Sequence, residues 1–378
     1  MDAMANDSLG AAKAAKNDEF YTQWADIERE MTAYLEYNPD VFRGKTVLLP
    51  CDDPEWSNFT KFFALHFTKC GLKKLISTSY APNANHAAAY YVPTVFETDA
   101  PQFDDVKTLT NGRLFVLEAK DINGDGKINI DDLKWDYLEG DGDFRSAEVT
   151  TLRDQADIII TNPPFSLFRE YLSWVVDGGQ QFSMIGSTNA ITYKEVFPLI
   201  KGNALWLGRG FAKGDAYFGV PEGAKSEYAV GVYDPATRLV HFRNLSWFTN
   251  IEHGRRHEPL QLMTMEDNIR FNKKLKGQPY QQYDNYDAIE VPYTDAIPSD
   301  YDGVMGVPIS FLDKYDPDQF VVRGMTDRGN EYGLKTREYD PHEVASANDL
   351  NRRGAIKQAD GSYHSTFARL LIQRRSTK

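Results

Sequence analysis

The stretch DIIITNPPFS at 157–166 decides the fold of this chain. Its run IIIT at 158–161 is typical of a short buried strand. The run leads directly into Asn162-Pro163-Pro164-Phe165, where proline ends strand pairing because it has no N–H to donate and fixes its own φ. The carbonyl before the proline is therefore held in one direction without a strand partner, which indicates that another group binds there.

Outward from this strand, short apolar runs alternate with helical patterns. The predicted strands are TVLLP at 46–50, KKLISTSY at 73–80, LFVLEA at 114–119 and FSMIGS at 182–187. Helical spacing is found in FYTQWADIEREMTAYLEY, in FTKFFALHF, near 193–201, and from Phe165 onwards, where Phe168, Leu172, Val175 and Val176 share a face. This alternation predicts an α/β fold, a parallel sheet with helices on both faces.

The pattern changes beyond Gly202. NALWLG, EYAVGVYD and LVHFRNLSWFTN read as strands joined by turns, with a hairpin at 234–237, and the chain from about 260 is rich in Tyr, Pro, Asp and Gly. We therefore predict a flexible lead-in over 1–16, a domain containing the sheet over 17–258, and a loop-rich C-terminal domain over 259–378.

Composition predicts a cytoplasmic globular protein with no membrane partner. Of 378 residues, 42% are hydrophobic, only two are cysteines, and no run of about 18 apolar residues or signal-peptide core occurs. The net charge of −13 argues at first against nucleic acid. However, residues 331–378 hold nine basic against six acidic residues, and HGRRH at 253–257 is a second basic cluster.

The unusual chemistry lies at two strand ends. CDDPEWSNF follows TVLLP, and NPPF follows DIIIT, at the carboxyl ends of strands where open α/β sheets bind ligands. The bend at Asn162-Pro163 can present an amide oxygen and a main-chain oxygen side by side. Two such acceptors fit an exocyclic amino group such as that of adenine, and Phe165 offers a ring to stack on the base.

Six blocks together resemble one family. They are NDEFYTQ at 17–23, LLPCDDPEWSNF at 48–59, GDGDFRSAEV at 140–149, TNPPFSLFREYL at 161–172, NAITYKEVFPLIK at 189–201 and WFTNIEHGRRHEPL at 247–260. From about Asp18 to its C-terminus the chain resembles the EcoRI-type adenine-specific DNA methyltransferases. The resemblance implies a Rossmann-like sheet that uses S-adenosylmethionine, a C-terminal target-recognition domain, and methyl transfer to N6 of a flipped adenine in a specific DNA sequence.

The resemblance also implies the residues that hold the methyl donor. Thr22 of FYT would bind its carboxylate, and Asp143 and Phe144 would meet its adenine. CDDP lacks the glycines expected after the first strand, so Asp52 and Asp53 would receive its ammonium group. Strand two lacks the usual acid, leaving hydroxyls at 77–79 for the ribose. The implied set is Phe20, Tyr21, Thr22, Pro50, Cys51, Asp52, Asp53, Asn58, Thr78, Asp143 and Phe144.

In the family, NPPF is the catalytic signature, which implies catalytic roles for Asn162, Pro163, Pro164 and Phe165. Acceptors there would polarise the N–H bonds of a weakly nucleophilic amino group and position it for in-line displacement. A paired adenine must first rotate out of the duplex, at an unstacking cost of about a few kcal/mol. Stacking by Phe165, with Trp247 or Phe248, would offset that cost.

A twelve-residue pattern, DINGDGKINIDD at 121–132, resembles the calcium loop of dockerin modules. The expected ligand positions are Asp121, Asn123, Asp125, Lys127, Asn129 and Asp132. Position 12 is Asp where EF-hands have Glu, and only one copy exists. Calcium and a solvated turn remain alternatives, and the short helix IDDLKWDYL is expected to follow.

The expected partner is double-stranded DNA, with Arg255, Arg256, Arg352 and Arg353 as candidate phosphate contacts. A cognate restriction endonuclease in the same system is a candidate second partner, and we expect a monomer or weak dimer. Two alternatives stay open. One is a methyltransferase for RNA or for protein glutamine, and the other is a catalytically silent, calcium-dependent interaction module.

Overall fold

The computed structural model describes residues 20–53, 57–83, 91–211, 215–220, 232–328, 331–342 and 344–375. The lead-in predicted over 1–16 and most of the predicted strand EYAVGVYD lie outside these residues. The chain forms two compact units. The first unit comprises 1–189 and 207–253, and the second comprises 190–206 and 254–378.

Twelve strands lie in or at the border of the first unit. They are β1 (Tyr21–Thr22), β2 (Thr46–Leu49), β3 (Lys74–Ser79), β4 (Arg113–Glu118), β5 (Lys134–Tyr137), β6 (Ile158–Thr161), β7 (Gln181–Ser187), β8 (Trp206–Leu207), β9 (Asp215–Gly219), β10 (Tyr233–Asp234), β11 (Leu239–Arg243) and β12 (Leu245–Thr249) among the described residues. The helices of this unit are α1 (Trp24–Tyr37), α2 (Asn58–Leu65), α3 (Phe67–Cys70), α4 (Val95–Thr98), α5 (Lys107–Thr110), α6 (Ala147–Gln155) and α7 (Phe168–Gly178).

The large sheet is mixed, with strand order β5-β4-β3-β2-β6-β7-β12-β8. The four central strands β3, β2, β6 and β7 are parallel, as predicted. The predicted parallel direction is wrong for β4, which runs antiparallel to β3. Because α4 and α5 are single turns, they do not carry the chain across the sheet, and β4 starts beside the end of β3.

Hydrophobic packing of this sheet follows the alternation of strand side chains. Val47, Leu75 and Ile158 belong to the cluster that also contains Ile27 and Met31 of α1. Ile27, Met31 and Tyr34 recur at helical spacing and are fully buried, which explains why this segment forms a helix. The coarse prediction of an α/β fold is confirmed.

A smaller sheet carries the first described strand. Its order is β1-β9-β11-β10, and β1 pairs antiparallel with β9 through Tyr21↔Gly219 and Thr22↔Phe218. The hairpin predicted at 234–237 joins β10 to β11. Because β1 pairs with β9, residues 20–22 are held in position by strands that lie far along the chain.

The second unit is built mainly from short strands and loops. Its helices are α8 (Phe197–Lys201), α9 (Met265–Phe271) and α10 (Ala347–Leu350). Its strands are β13 (Gln281–Gln282), β14 (Ala288–Glu290), β15 (Val304–Pro308), β16 (Phe320–Met325), β17 (Ala355–Lys357), β18 (Tyr363–Ser365) and β19 (Arg369–Arg374). Five of these form the sheet β13-β14-β15-β19-β16, and β17 pairs with β18. Within the described ranges, no helix is long and apolar enough to span a bilayer.

Candidate active site at the ends of the parallel strands

The carboxyl ends of β2, β3 and β6 are tied together by short polar contacts. Asp52 N donates to the Thr78 carbonyl over 2.6 Å, and Thr161 Oγ1 donates to the Pro50 carbonyl over 2.8 Å. Pro50 is buried, and the hydrogen bond from Thr161 to its carbonyl joins the end of β2 to the end of β6. The predicted residues at these strand ends therefore lie at one edge of the sheet.

Asn162, directly after β6, has an amide whose orientation is fixed by Phe20, the residue before β1. Its Nδ2 donates to the Phe20 carbonyl over 2.6 Å. Since a carbonyl can only accept, the nitrogen must face Phe20 and the oxygen must point elsewhere. Asn162 Oδ1 is buried and has no hydrogen-bond partner among the described residues. A buried acceptor left without a donor costs free energy, so its retention indicates a site for a ligand donor.

Phe165 starts a single 3-10 turn, Phe165–Leu167, that leads into α7. Its half-buried ring stacks on Phe20 with centroids 5.7 Å apart and an interplanar angle of 22°. Phe218 of β9 and Phe242 of β11 approach the Phe165 ring edge-on, at 6.2 Å and 5.8 Å. The small sheet thus fixes the orientation of the ring that was predicted to stack on the base.

Hydroxyl groups without partners accompany Asn162 at this edge. In the described part of the chain, the buried Oγ1 atoms of Thr22 and Thr78 and the Oγ of Ser79 have no hydrogen-bond partner. Thr22 is held by Asn58, the first residue of α2, whose Nδ2 donates to the Thr22 carbonyl over 2.8 Å. Three buried hydroxyls with unused hydrogen-bonding capacity fit a polar ligand such as the implied methyl donor.

The turn after β2 replaces the expected glycines with a strained residue. Cys51 has φ 61°, in the left-handed region that favours glycine. Asp52 is buried and accepts from Ser57 Oγ and from the N and Oγ1 of Thr60, so protein donors already contact both of its carboxylate oxygens. Burial raises the pKa of Asp52 to about 6. Asp53 is paired with Arg113 over 2.7 Å and keeps 15% of its side chain exposed.

The loop carrying Asp143 packs tightly against the end of β3. Gly142 has φ +85°, and a Cβ there would lie 2.2 Å from the Ser79 carbonyl oxygen. The Asp143 carboxylate accepts from Nε and Nη2 of Arg145 over 2.9 Å and 2.6 Å, which lowers its pKa. Phe144 is fully buried against Tyr171, so the structure gives no support to the prediction that its ring packs on the donor's adenine.

Two aromatic residues predicted to stack on a flipped base are core residues. Trp247 and Phe248 point to opposite faces of β12, and both are fully buried. Trp247 contacts Phe59 at 5.9 Å, and Phe248 contacts Phe168 at 5.2 Å. Neither ring is exposed for stacking, so the structure gives this prediction no support.

The predicted calcium loop is not supported. Among the described residues, no group of three or more His, Cys, Asp or Glu residues is arranged to hold a metal ion. The predicted ligand oxygens instead accept from the loop's own amides: Asp121 from Gly124 and Gly126, Asn123 from Asp125, Asp125 from Lys127, Asn129 from Asp131, and Asp132 from Ile122, Asn123 and Asn129. Backbone amides of the loop itself therefore satisfy these side-chain oxygens. A 3-10 turn and β5 follow it where a helix was predicted.

The four arginines predicted to contact phosphates differ in their surroundings. Arg256 is buried, donates to Asn203 Oδ1 over 2.5 Å and lies 3.8 Å from the Trp206 ring centroid, so the structure gives its predicted phosphate contact no support. Arg255 is paired with Asp313 over 2.5 Å. Arg353 is partly exposed near Asp327, and Arg352 is the most exposed of the four, at 72%.

Two residues near the site were missed by the sequence predictions. Tyr80 follows β3, and burial raises the pKa of its hydroxyl, which lies close to Cys51 and Asp143. Arg113 starts β4 and pairs in register with Ser79. Arg113 could have been predicted only if β4 had been recognised as antiparallel to β3, because only that direction brings the start of β4 to this edge.

Comparisons with known proteins identify the family of this chain. The family model described as "Adenine-specific methyltransferase EcoRI" matches residues 8–375. The chain is 42% identical over 318 residues to Type II methyltransferase M.EcoRI of Escherichia coli, covering 83% of this chain and 88% of that protein. It is 33% identical over 322 residues to Type II methyltransferase M.MpnI of Mycoplasma pneumoniae, covering 82% of each. No solved structure matches the chain. The chain therefore belongs to the EcoRI family of adenine-specific methyltransferases, which confirms the predicted family and class of enzyme.

Proposed function

We propose that this adenine-specific methyltransferase transfers a methyl group to N6 of an adenine in duplex DNA, with Asn162 as the residue that binds the amino group. The observation that carries the proposal is the Asn162 amide. Its nitrogen is bound to the Phe20 carbonyl, and its buried oxygen has no partner in the described part of the chain. An acceptor held in a fixed direction suits an N–H donor that arrives only with the substrate.

Asn162 Oδ1 and the main-chain oxygen of Pro163 act as the two acceptors. Hydrogen bonds from the amino group to these oxygens favour the pyramidal nitrogen that can attack, and they hold it in line for displacement. Phe165 stacks on the base from a ring position fixed by Phe20. Stacking offsets part of the unstacking cost of about a few kcal/mol that rotation of the base out of the duplex requires.

Family membership implies S-adenosylmethionine as the methyl donor, and the residues present fit it. The donor supplies an electrophilic methyl group on a sulfonium centre. Thr22 would bind its carboxylate and Asp53 its ammonium group, while Thr78 and Ser79 offer hydroxyls to the ribose. Asp143 would accept from the donor's adenine amino group alongside its contact with Arg145.

The parallel strands β3, β2, β6 and β7 support a Rossmann-like arrangement for the proposed catalytic domain over 17–258. We assign target recognition to 259–378, with exposed Arg352 and partly exposed Arg353 as phosphate contacts. A cognate restriction endonuclease and a monomeric or weakly dimeric state are part of the same proposal.

The proposal is tested by labelling. The protein is incubated with S-adenosylmethionine carrying a labelled methyl group, together with duplex DNA, RNA or a protein extract in separate reactions. We expect label in DNA only, recovered as N6-methyladenine after digestion to nucleosides. Label in RNA or on protein glutamine would assign the site to another substrate, and absence of label in all three would contradict the proposal.

A further inference from the structure

A buried ion network lies beside the turn after β2. The Arg113 side chain is 4% exposed, and its Nη2 donates to Asp53 Oδ2 over 2.7 Å. Its Nη1 donates to Glu97 Oε2 and to the Tyr91 hydroxyl, each over 3.1 Å. Glu97 is 1% exposed and also accepts from the hydroxyls of Tyr91 and Thr108. A single buried cation therefore contacts two carboxylates.

The two carboxylates differ in position. Glu97 lies inside the network, with Arg113, Tyr91 and Thr108 directed at its two oxygens. Asp53 belongs to the turn after β2 and keeps part of its surface exposed. Among the contacts given above for the described residues, the single positive charge of Arg113 is shared between the two carboxylates of Glu97 and Asp53. A partly exposed carboxylate held in this way suits a cationic ligand group.

The neighbouring acid does not offer the same chemistry. Asp52 is occupied by Ser57 and Thr60. Asp53 is therefore the acid of CDDP that remains suited to an ammonium group. Arg113 reaches this edge because its position in β4 pairs with Ser79 at the end of β3, where the Ser79 hydroxyl is one of the unpartnered groups within the described residues.

We propose that Arg113 is a positioning residue that, with Glu97 as its buried counter-ion, orients the Asp53 carboxylate toward the ammonium group of the methyl donor. This inference rests on the proposed function only in the identity of the donor. A planar guanidinium can hold carboxylates on two of its edges at once, which a lysine ammonium does not reproduce. Arg113 thus replaces, from another strand, the fixed geometry that a glycine-rich turn would give to this part of the site.

The test separates the amino-acid part of the donor from its adenosine part. S-adenosylhomocysteine carries both parts, whereas methylthioadenosine carries adenosine without the ammonium and carboxylate. Binding of each compound is measured by calorimetry for the wild type, for Asp53→Asn, for Arg113→Lys, and for the double variant Arg113→Met/Glu97→Gln, which removes both buried charges together. The matched control is Arg153→Met, which removes an arginine that contacts Asp154 and Trp174 of the same unit.

We expect the Asp53 and Arg113 variants to weaken S-adenosylhomocysteine binding by about tenfold or more, as loss of a buried charged contact does, and to leave methylthioadenosine binding unchanged. Combining Asp53→Asn with Arg113→Lys should add little to either change, because both act on one contact. Arg153→Met should alter neither affinity.

Equal losses of affinity for the two compounds would show that Arg113 has a purely structural role and would overturn the inference. Unchanged affinities for both compounds would also overturn it. If the double variant fails to fold, Arg113→Lys decides the outcome, because it keeps the buried charge. These measurements need no DNA. Failure of methyl transfer to DNA would therefore leave this test intact and would count only against the proposed function.

Discussion

The ends of β2 and β6 lie at the same edge of one sheet, yet they treat their polar groups in opposite ways. After β2, Asp52 is occupied by Ser57 and Thr60, and Asp53 is paired with Arg113. After β6, only the nitrogen of Asn162 is used, and its buried oxygen has no partner in the described ranges. The difference teaches that the β2 end holds its carboxylates in position with protein partners, whereas the β6 end keeps an acceptor that the described protein groups leave for the substrate.

The largest expected effect concerns the loop that carries Asp143. It tests whether the close packing of this loop against the end of β3 tolerates an added methyl group. Gly142→Ala places a Cβ 2.2 Å from the Ser79 carbonyl oxygen, at φ +85°. Steric overlap with backbone and the left-handed conformation together should lower the free energy of unfolding by about 4 kcal/mol. Urea denaturation measures the change.

Gly140→Ala is the matched control in the same loop. A Cβ at Gly140 meets no atom within 4 Å among the described residues. Its stability should stay close to that of the wild type. Equal stability of the two variants would show that the loop does not depend on close approach to β3.

A smaller effect should appear in the dependence of stability on pH. Burial raises the pKa of Asp52 from 3.8 to about 6. The folded protein therefore binds this proton more tightly than the unfolded chain does. The stability linked to protonated Asp52 is fully present below about pH 4 and is lost as the pH rises through about 6, with a total loss of about 3 kcal/mol.

Asp52→Asn isolates this contribution, because other groups titrate in the same range. The free energy of unfolding of both proteins is measured by urea denaturation at several values between pH 4 and pH 7. The wild type should lose stability relative to Asp52→Asn across that range. Parallel profiles would contradict a buried, proton-binding Asp52.

The smallest effect concerns backbone strain at Cys51. Cys51→Gly should raise the free energy of unfolding by about 1 kcal/mol, because glycine adopts φ 61° without the clash of a Cβ. Cys51→Ala, which removes the thiol and keeps the Cβ, should not be stabilised. A shift in melting temperature that is the same for both variants would assign the effect to the thiol instead.

Much of the first unit was predictable because its signals are local. Helical spacing predicted α1 with its buried Ile27 and Met31, and the apolar runs predicted the four parallel strands. NPPF was recognisable because a proline-terminated strand end is a short pattern. The donors and acceptors that surround it were not, because Phe20 lies 142 positions away in sequence from Asn162.

The site predictions that the structure does not support share a physical cause: these residues make tertiary contacts with other partners. Trp247 and Phe248 alternate across a strand that is buried on both faces, which a pattern of aromatics cannot distinguish from an exposed pair. Asp52 accepts hydrogen bonds from Ser57 and Thr60 at the start of α2. Arg256 lies against Trp206 in the second unit, a contact that no charge count reveals.

The most direct measurement compares Asn162→Ala with Asn58→Ala, since each side chain donates to a main-chain carbonyl in the segment 20–22, Asn162 to Phe20 and Asn58 to Thr22. S-adenosylhomocysteine affinity is measured by calorimetry, and single-turnover methyl transfer to duplex DNA is measured at saturating donor. We expect Asn162→Ala to bind the donor nearly as the wild type does and to transfer no methyl group. Asn58→Ala should bind the donor less tightly and still transfer. Methyl transfer by Asn162→Ala at the wild-type rate would contradict the assignment of the Asn162 oxygen as the acceptor for the adenine amino group.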